Sequence, residues 1–384
     1  MGEFWLRCED WLAARGYTLH ARRPPGPRTL KGLWYPPEYT APASLPYAGR
    51  ASVENPLPYP LVPALRVAWA QDSRNRDVVI KLTNKDIDEY RIYSTLLHCG
   101  ELQVPGKCMG VLAPVAILDT PYNYSFVIMP MWGGLESLID FDNVAQVMRF
   151  MRCTLQGLAV LHAHRIAHRD IHQSNMLVDC YSQELEVAGM GPAHAEHRRT
   201  KEASYCLYDF NLSIQLPPDT SLRDCRRPAQ EAMTTESSIQ PQDIILGEHV
   251  YNPFAFDVGC LGNLFRVHFW RAVSIVPWFA PLFDRMTTHV ISQRFTAEDA
   301  LAFLDHIATH LPKDACDASM TLEPDWYTCE ERGIYWDLTP PGFTTFWSHY
   351  KTPLHGRLAH VIDRLCSCQF GWRAVRYIRA LLRR

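Results

Sequence analysis

The spacing of apolar residues changes character once along this chain, and that change limits the folds open to it. Between residues 64 and 131, short runs such as Val78-Val79-Ile80 and Phe126-Val127-Ile128 alternate with polar turns, the signature of strands. Residues 86–98 among them read as a helix, and from 135 to about 311 the pattern is mostly helical. Strands gathered in a small first part and helices in a larger second part point to an α+β protein. A chain of 384 residues can bury a sizeable core and has room for two or three domains.

Segments flank this body on both sides. Residues 3–15 place Phe4, Trp5, Cys8, Trp11 and Leu12 on one helical face, with Gly16 as a stop. Residues 22–63 hold eleven prolines, which remove backbone donors, so they read as extended chain or loop that wraps the body. A ligand for a proline-reading module is the alternative. Residues 179–205 are polar, with His194, His197, Arg198 and Arg199, and read as an inserted loop with a solvated basic cluster.

Composition excludes several classes. With 47% hydrophobic and 21% charged residues and a formal net charge of −3, the chain is neither a disordered tail nor a generally basic nucleic-acid binder. Its 12 cysteines include no C-x-x-C pair, only Cys366 and Cys368 in a lone C-x-C, so reduced thiols are expected and a zinc site is not. The most apolar stretch, 263–283, is interrupted by Arg266, His268 and Arg271 and reads as buried helix, not as a membrane span. The start lacks the Ser or Thr at position 6 of a myristoylation signal. The expected location is the cytosol, with the nucleus left open.

Polar motifs recur in a fixed order along the body. Val78-Val79-Ile80-Lys81 ends on a lysine, and Glu89 follows at a helical position with apolar residues three, four and seven places later. His168-Arg169-Asp170-Ile171-His172-Gln173-Ser174-Asn175 comes next, then Tyr208-Asp209-Phe210-Asn211 after the apolar approach Tyr205-Cys206-Leu207. Asp257-Val258-Gly259-Cys260-Leu261-Gly262 and Arg294-Phe295-Thr296 close the series, with Gln242-Asp243 upstream of both. Singly, each has a plain reading: a strand lysine at the surface, a solvated helix glutamate.

Together, over about 64–311, the motifs resemble the eukaryotic protein-kinase family, and the resemblance implies a bilobal kinase-like fold. Its small β-rich lobe would be 64–134 and its large helical lobe 135–311, with 179–205 inserted, 1–63 preceding and 312–384 packed on the domain. It further implies ATP between the lobes. Lys81 would hold the phosphates, positioned by Glu89; Asn175 and Asp209 would hold Mg2+; Asp170 would orient the attacking hydroxyl. The hinge would be Met129-Pro130-Met131, ending at Gly133-Gly134, with Ile128 as gatekeeper. Asp257 would brace the catalytic loop, and Arg294 would pair with Asp243. Arg169 would receive a phosphorylated segment, for which Thr234, Thr235, Ser237 and Ser238 lie in the right stretch.

The sequence also departs from the family. Residues 60–65, Pro-Leu-Val-Pro-Ala-Leu, contain no glycine where a glycine-rich loop would close backbone N–H groups over the phosphates. Asn211 replaces the glycine of D-F-G, in a place that favours positive φ. His172 stands where Ser/Thr kinases carry lysine and is similar to the D-x-H-x-x-N loop of small-molecule phosphotransferases. Three functions follow: a Ser/Thr-directed protein kinase with a protein substrate, a pseudokinase acting as a binding module, and a small-molecule hydroxyl kinase. Beyond the match, Trp326, Tyr327, Tyr335, Trp336, Phe343, Phe346 and Trp347 point to a packed segment. The last stretch interleaves arginines with Trp372, Val375, Ile378 and Leu382, a basic surface helix that suits an acidic partner or anionic lipid.

Overall fold

The computed structural model describes the chain except residues 1, 24–32, 36, 52–65, 136, 137, 139, 140, 182–189, 235–238, 242–247, 321, 323–332, 354–356, 367, 383 and 384. It divides into two compact units, residues 1–137 with 176–211, and residues 138–175 with 212–384. Strands and helices are both present, as an α+β protein requires.

The first unit is built on an antiparallel five-stranded sheet. Its strands are β1 (Tyr17–Leu19), β2 (Val67–Asp72), β3 (Asp77–Asn84), β4 (Ala116–Asp119) and β5 (Tyr124–Pro130), in the order β1-β2-β3-β5-β4. Helix α1 (Gly2–Ala13) follows from its apolar stripe. Trp5 and Leu12 are buried on one sheet face with Ala68, Ala70, Val78, Ile80, Phe126 and Ile128. In this register Ile80 faces Ile128 and Lys81 faces Val127. Because side chains alternate along a strand, the two pairs lie on opposite faces of the sheet. Helix α2 (Asp88–Leu97) follows β3 directly, and Glu89, Ile92, Tyr93 and Leu96 are its buried residues.

A smaller three-stranded sheet sets β6 (Gly133–Gly134) against β7 (Met176–Val178), which pairs in turn with β8 (Tyr205–Leu207). Gly133 is needed for close approach, since a Cβ there would meet the Cys180 carbonyl oxygen at 2.1 Å.

The proline-rich segment is tied to the first unit. Gly49 and Arg50 pair in parallel with Cys180 and Tyr181. The Arg50 guanidinium lies 2.5 Å from Asp77 Oδ2, to which the Tyr181 hydroxyl also donates at 2.7 Å. Gln71 Nε2 donates to Asp77 Oδ1 at 2.9 Å, and a His20 ring nitrogen lies 3.5 Å from the same oxygen. Burial alone would raise the Asp77 pKa from 3.8, but His20, Tyr181, Arg50 and Gln71 more than reverse this and hold it at about 2.

A carboxyl whose pKa falls on folding stabilises the fold above its unfolded pKa and loses that contribution as pH falls through the folded value. The Asp77 contribution, about 2 kcal/mol at 1.36 kcal/mol per unit, is therefore lost between about pH 4 and pH 2. Asp77→Asn is expected to lower stability at neutral pH, and its deficit should shrink as urea midpoints are followed down to pH 2. A deficit independent of pH would assign the loss to packing instead.

Residues 179–205 are not wholly a loop. Helix α4 (Met190–Thr200) lies within them, and His194 and Arg198 are buried, at 3% and 7% exposure, where solvated surface was expected. His194 Nε2 lies 3.2 Å from the Cys180 carbonyl oxygen, and His197 Nε2 lies 2.8 Å from Asp179 Oδ1. A helix with one face docked needs buried side chains that a count of polar residues does not reveal.

The second unit is helical. Helix α3 (Val144–Ala163) is capped by Asn143, whose side chain accepts from Gln146 N. Helix α5 (Pro253–Phe269) carries Pro253 in its first turn and an Asn252 cap accepting from Phe254 N and Ala255 N. It is apolar nearly all round, and almost all of its residues are buried. Phe141, Phe150, Phe265 and Phe269 meet between α3 and α5 in edge-on or tilted contacts. Helices α6 (Phe279–Thr287) and α7 (Ala297–His310) complete the bundle, the latter with a reciprocal Thr296–Asp299 capping box.

The aromatic residues after 312 divide by environment. Tyr335 and Trp336 are buried, the Trp336 indole N–H donates to Asp284, and Phe346 is exposed. Trp326 and Tyr327 lie outside the described residues. Helices α8 (Arg357–Cys366) and α9 (Gln369–Leu382) follow. Every described cysteine is a free thiol, and among the described residues no helix is long and apolar enough to cross a membrane.

Candidate active site

Lys81 projects from the middle of β3 on the face away from the α1 core. Its Nζ lies 2.5 Å from Glu89 Oε1 and 2.7 Å from Asp209 Oδ1. Glu89 is 2% exposed, and its second oxygen accepts from Thr83 Oγ1 at 3.1 Å. Thr83 is two places beyond Lys81, so the strand itself puts both on one face. That spacing was the available signal for Thr83, and only the placement of α2 gives it meaning. Burial alone would lower the Lys81 pKa; Tyr93, Glu89 and Asp209 raise it above its ordinary value, so the ammonium stays charged.

Asp209 stands just past β8. The buried Phe210 beside it packs edge-on against Tyr93 of α2, ring centroids 5.4 Å apart. Positive φ was expected at Asn211, but the left-handed residue is Asp209 itself, at φ 63°. Such a conformation costs a non-glycine residue on the order of 1–3 kcal/mol and marks a position fixed by its surroundings. Asn211 therefore meets no conformational demand for glycine.

The second unit holds the other group of residues. The Asp257 carboxylate, fully buried on α5, accepts from Arg169 N at 2.7 Å through Oδ1. Its Oδ2 accepts from His168 N at 2.7 Å and lies 3.1 Å from His162 Nε2. Ser213 Oγ donates to the His168 carbonyl at 2.9 Å. These bonds fix a turn in which Arg169 is left-handed, at φ 67°. Arg169 Nη2 donates to the Glu231 carbonyl at 2.5 Å.

Asp170 uses its two oxygens differently. Oδ2 accepts from Asn175 Nδ2 at 2.8 Å and lies 3.3 Å from His172 Nε2. Oδ1 is buried with no hydrogen-bond partner. Burial would raise the Asp170 pKa, but His172, Asn175 and His168 bring it below the ordinary 3.8, so the group is an ionised acceptor at neutral pH. Asn175 turns its amide NH2 to the Asp170 carbonyl at 2.9 Å and to His172 Nε2 at 3.0 Å as well. That orientation leaves Asn175 Oδ1 as the oxygen available to a cation.

The structure thus brings Lys81, Glu89 and Asp209 together in the first unit, and Arg169, Asp170, His172 and Asn175 together in the second. Ile128 is not placed as the sequence reading had it. It lies in the α1 core opposite Lys81, while register puts Val127 and Met129 on the lysine face. A strand position misjudged by one residue changes face. Met131 is buried, and its N–H already donates to the Asp77 carbonyl at 3.0 Å.

Residues 60–65, Asp243, Thr235, Ser237, Ser238 and the side chain of Thr234 lie outside the described residues. So, therefore, do the lid, the Asp243 pair and the modification sites read from sequence. Arg294 donates to the Thr288 and Ala255 carbonyls.

Comparison with known proteins gives a local, kinase-like relationship. The chain is 29% identical to human mitogen-activated protein kinase kinase kinase 6 over 93 residues, 24% of this chain and 6% of that protein. It is 35% identical to mouse and human mitogen-activated protein kinase kinase kinase 1 over 75 residues, 18% of this chain and 5% of theirs. The chain therefore matches only about a twentieth of the length of these curated relatives. No family model matches.

Proposed function

We propose that the chain has a bilobal kinase-like fold and is an ATP- and Mg2+-dependent protein kinase that transfers a phosphoryl group to a Ser or Thr hydroxyl. The observation that carries this is Asp170: an ionised, buried carboxylate with one oxygen held by Asn175 and the other without a hydrogen-bond partner. An acceptor in that state suits the proton of an attacking hydroxyl. The local kinase-like relationship supports the same reading.

Each unit, taken by itself, carries side chains that suit the cofactor. Asp209 and Asn175 offer hard oxygens, which suit Mg2+, and the Lys81 ammonium suits phosphate oxygens. Bound, Mg·ATP would supply the phosphoryl group and the electrophilic phosphorus. Lys81, kept extended by Glu89, would orient the phosphates, and Asp209 would move from partner of Lys81 to metal ligand. Asp170 would orient the acceptor hydroxyl and draw on its proton, while Asn175 keeps the Asp170 carboxylate in place.

His172 favours a second reading. Its ring lies within 3.3 Å of Asp170 Oδ2 and 3.0 Å of Asn175 Nδ2, inside the constellation, where a small alcohol or sugar acceptor would meet it.

Thermal shift with ATP, with and without Mg2+, tests the nucleotide site. A ligand at a hundred times its Kd stabilises by about 2.7 kcal/mol, so a rise of several degrees that requires Mg2+ is expected for wild type. Asp209→Asn should abolish it, asparagine being the replacement that tolerates the positive φ at this position. No shift at millimolar Mg·ATP would replace the enzyme reading with that of a binding module. Labelled phosphate appearing on peptides rather than on small alcohols would decide between the two acceptor classes.

A further inference from the structure

Residues 357–384 carry seven arginines and one carboxylate, Asp363, in a chain whose formal net charge is −3. Helices α8 and α9 fall in this stretch and pack against each other. Their junction is tight, because a Cβ at Gly371 would meet the Leu365 carbonyl oxygen at 1.8 Å. One side is turned inward: Val375 and Cys366 are buried, and Arg379 pairs with Glu248 of the second unit.

The other side is unusual for a solvated surface helix. Phe370, Tyr377 and Leu381 follow one another at intervals of seven and four residues, which places them in line along α9. Phe370 is 84% exposed and Leu382 81%, and Tyr377, Ile378 and Leu381 are each more than half exposed. Val361 and Leu365, four residues apart on α8, are also more than half exposed. Arg373 is exposed beside this ridge, and Arg364 is exposed on α8. The basic surface helix read from the sequence is thus present, but its solvent side is apolar as well as basic.

We propose that this helical pair is a peripheral binding surface for anionic lipid. Three properties select that occupant. The apolar ridge extends over two adjacent helices and combines aromatic with aliphatic side chains, the composition of a face that enters the headgroup–acyl boundary. The arginines around it match anionic headgroups, each contributing on the order of fivefold in affinity near such a surface. A second copy of the chain would set one arginine array against another, which like-charge repulsion opposes.

The test is cosedimentation of the full chain with vesicles of phosphatidylcholine, with and without phosphatidylserine. Wild type is expected to pellet with the phosphatidylserine vesicles, to remain in solution with phosphatidylcholine alone, and to be released by high salt. Phe370→Ser with Leu381→Ser should weaken binding at least tenfold. Arg364→Gln with Arg373→Gln should weaken it by roughly 25-fold, two steps of fivefold. All four positions are exposed on the helical pair, and unchanged melting temperatures would show the variants folded.

Equal binding to both vesicle types, or none to either, overturns the proposal. So does wild-type dimerisation in sedimentation velocity that Phe370→Ser abolishes, which would make a second copy the occupant. Binding to soluble polyglutamate as tight as to vesicles, and indifferent to Phe370→Ser, would assign the surface to an acidic polypeptide.

Discussion

Asp170→Ala is expected to lower phosphoryl transfer roughly 10²–10⁴-fold, the range lost with a positioned general base, and to leave the Mg·ATP thermal shift in place. Asp170 accepts from Asn175 through Oδ2 and leaves Oδ1 without a hydrogen-bond partner, so the substitution removes the unsatisfied acceptor and one tether of Asn175. Asn175 retains the Asp170 backbone carbonyl as a partner, so its own position should change little. Asp170→Asn separates the two effects. It keeps the side-chain volume but adds a donor where an acceptor is needed, so its loss should match that of alanine. Initial rates at saturating ATP measure both. Rates within threefold of wild type in either variant would remove Asp170 from the role proposed.

How much of this was legible before the structure depends on the distance over which each feature is decided. The strand-rich and helix-rich parts are visible because periods of 2 and 3.6 are local properties. Lys81, Glu89, Asp170, Asn175 and Asp209 are visible because their motifs have fixed internal spacing. Ile128 was misplaced for the opposite reason. Phe126-Val127-Ile128 is apolar at every position, so the sequence does not say which residues face α1, and only pairing with β3 decides it. Asp77 has no local signal of its role, because its partners Arg50 and Tyr181 come from 27 and 104 residues away. His194 and Arg198 read as solvent-facing because no local pattern reveals that one face of a short polar helix is docked. The left-handed turn at Asp209, not Asn211, is also set by tertiary contacts, since propensity alone favours asparagine.

Asp257→Ala is expected to lower stability by about 2–6 kcal/mol, the cost of leaving two buried backbone donors without their acceptor. Asp257 is fully buried and accepts two backbone N–H groups, those of His168 and Arg169, with His162 Nε2 also close. Alanine leaves both N–H groups unpaired in a site that water does not reach, and each such donor costs on the order of 1–3 kcal/mol. The damage should also be directional. Arg169 holds a left-handed backbone at φ 67°, and the bond from its N–H to Asp257 is among those that keep it there. Once released, the turn can relax toward an ordinary conformation and carry Asp170 with it. The variant should therefore lose transfer activity under conditions where circular dichroism still reports a folded chain. Asp257→Asn provides one acceptor instead of two and should fall between alanine and wild type in urea midpoint. An unfolding free energy within about 1 kcal/mol of wild type for Asp257→Ala would mean that the turn is fixed by Ser213 and the surrounding packing, and that α5 contributes apolar area to the second unit without bracing the loop.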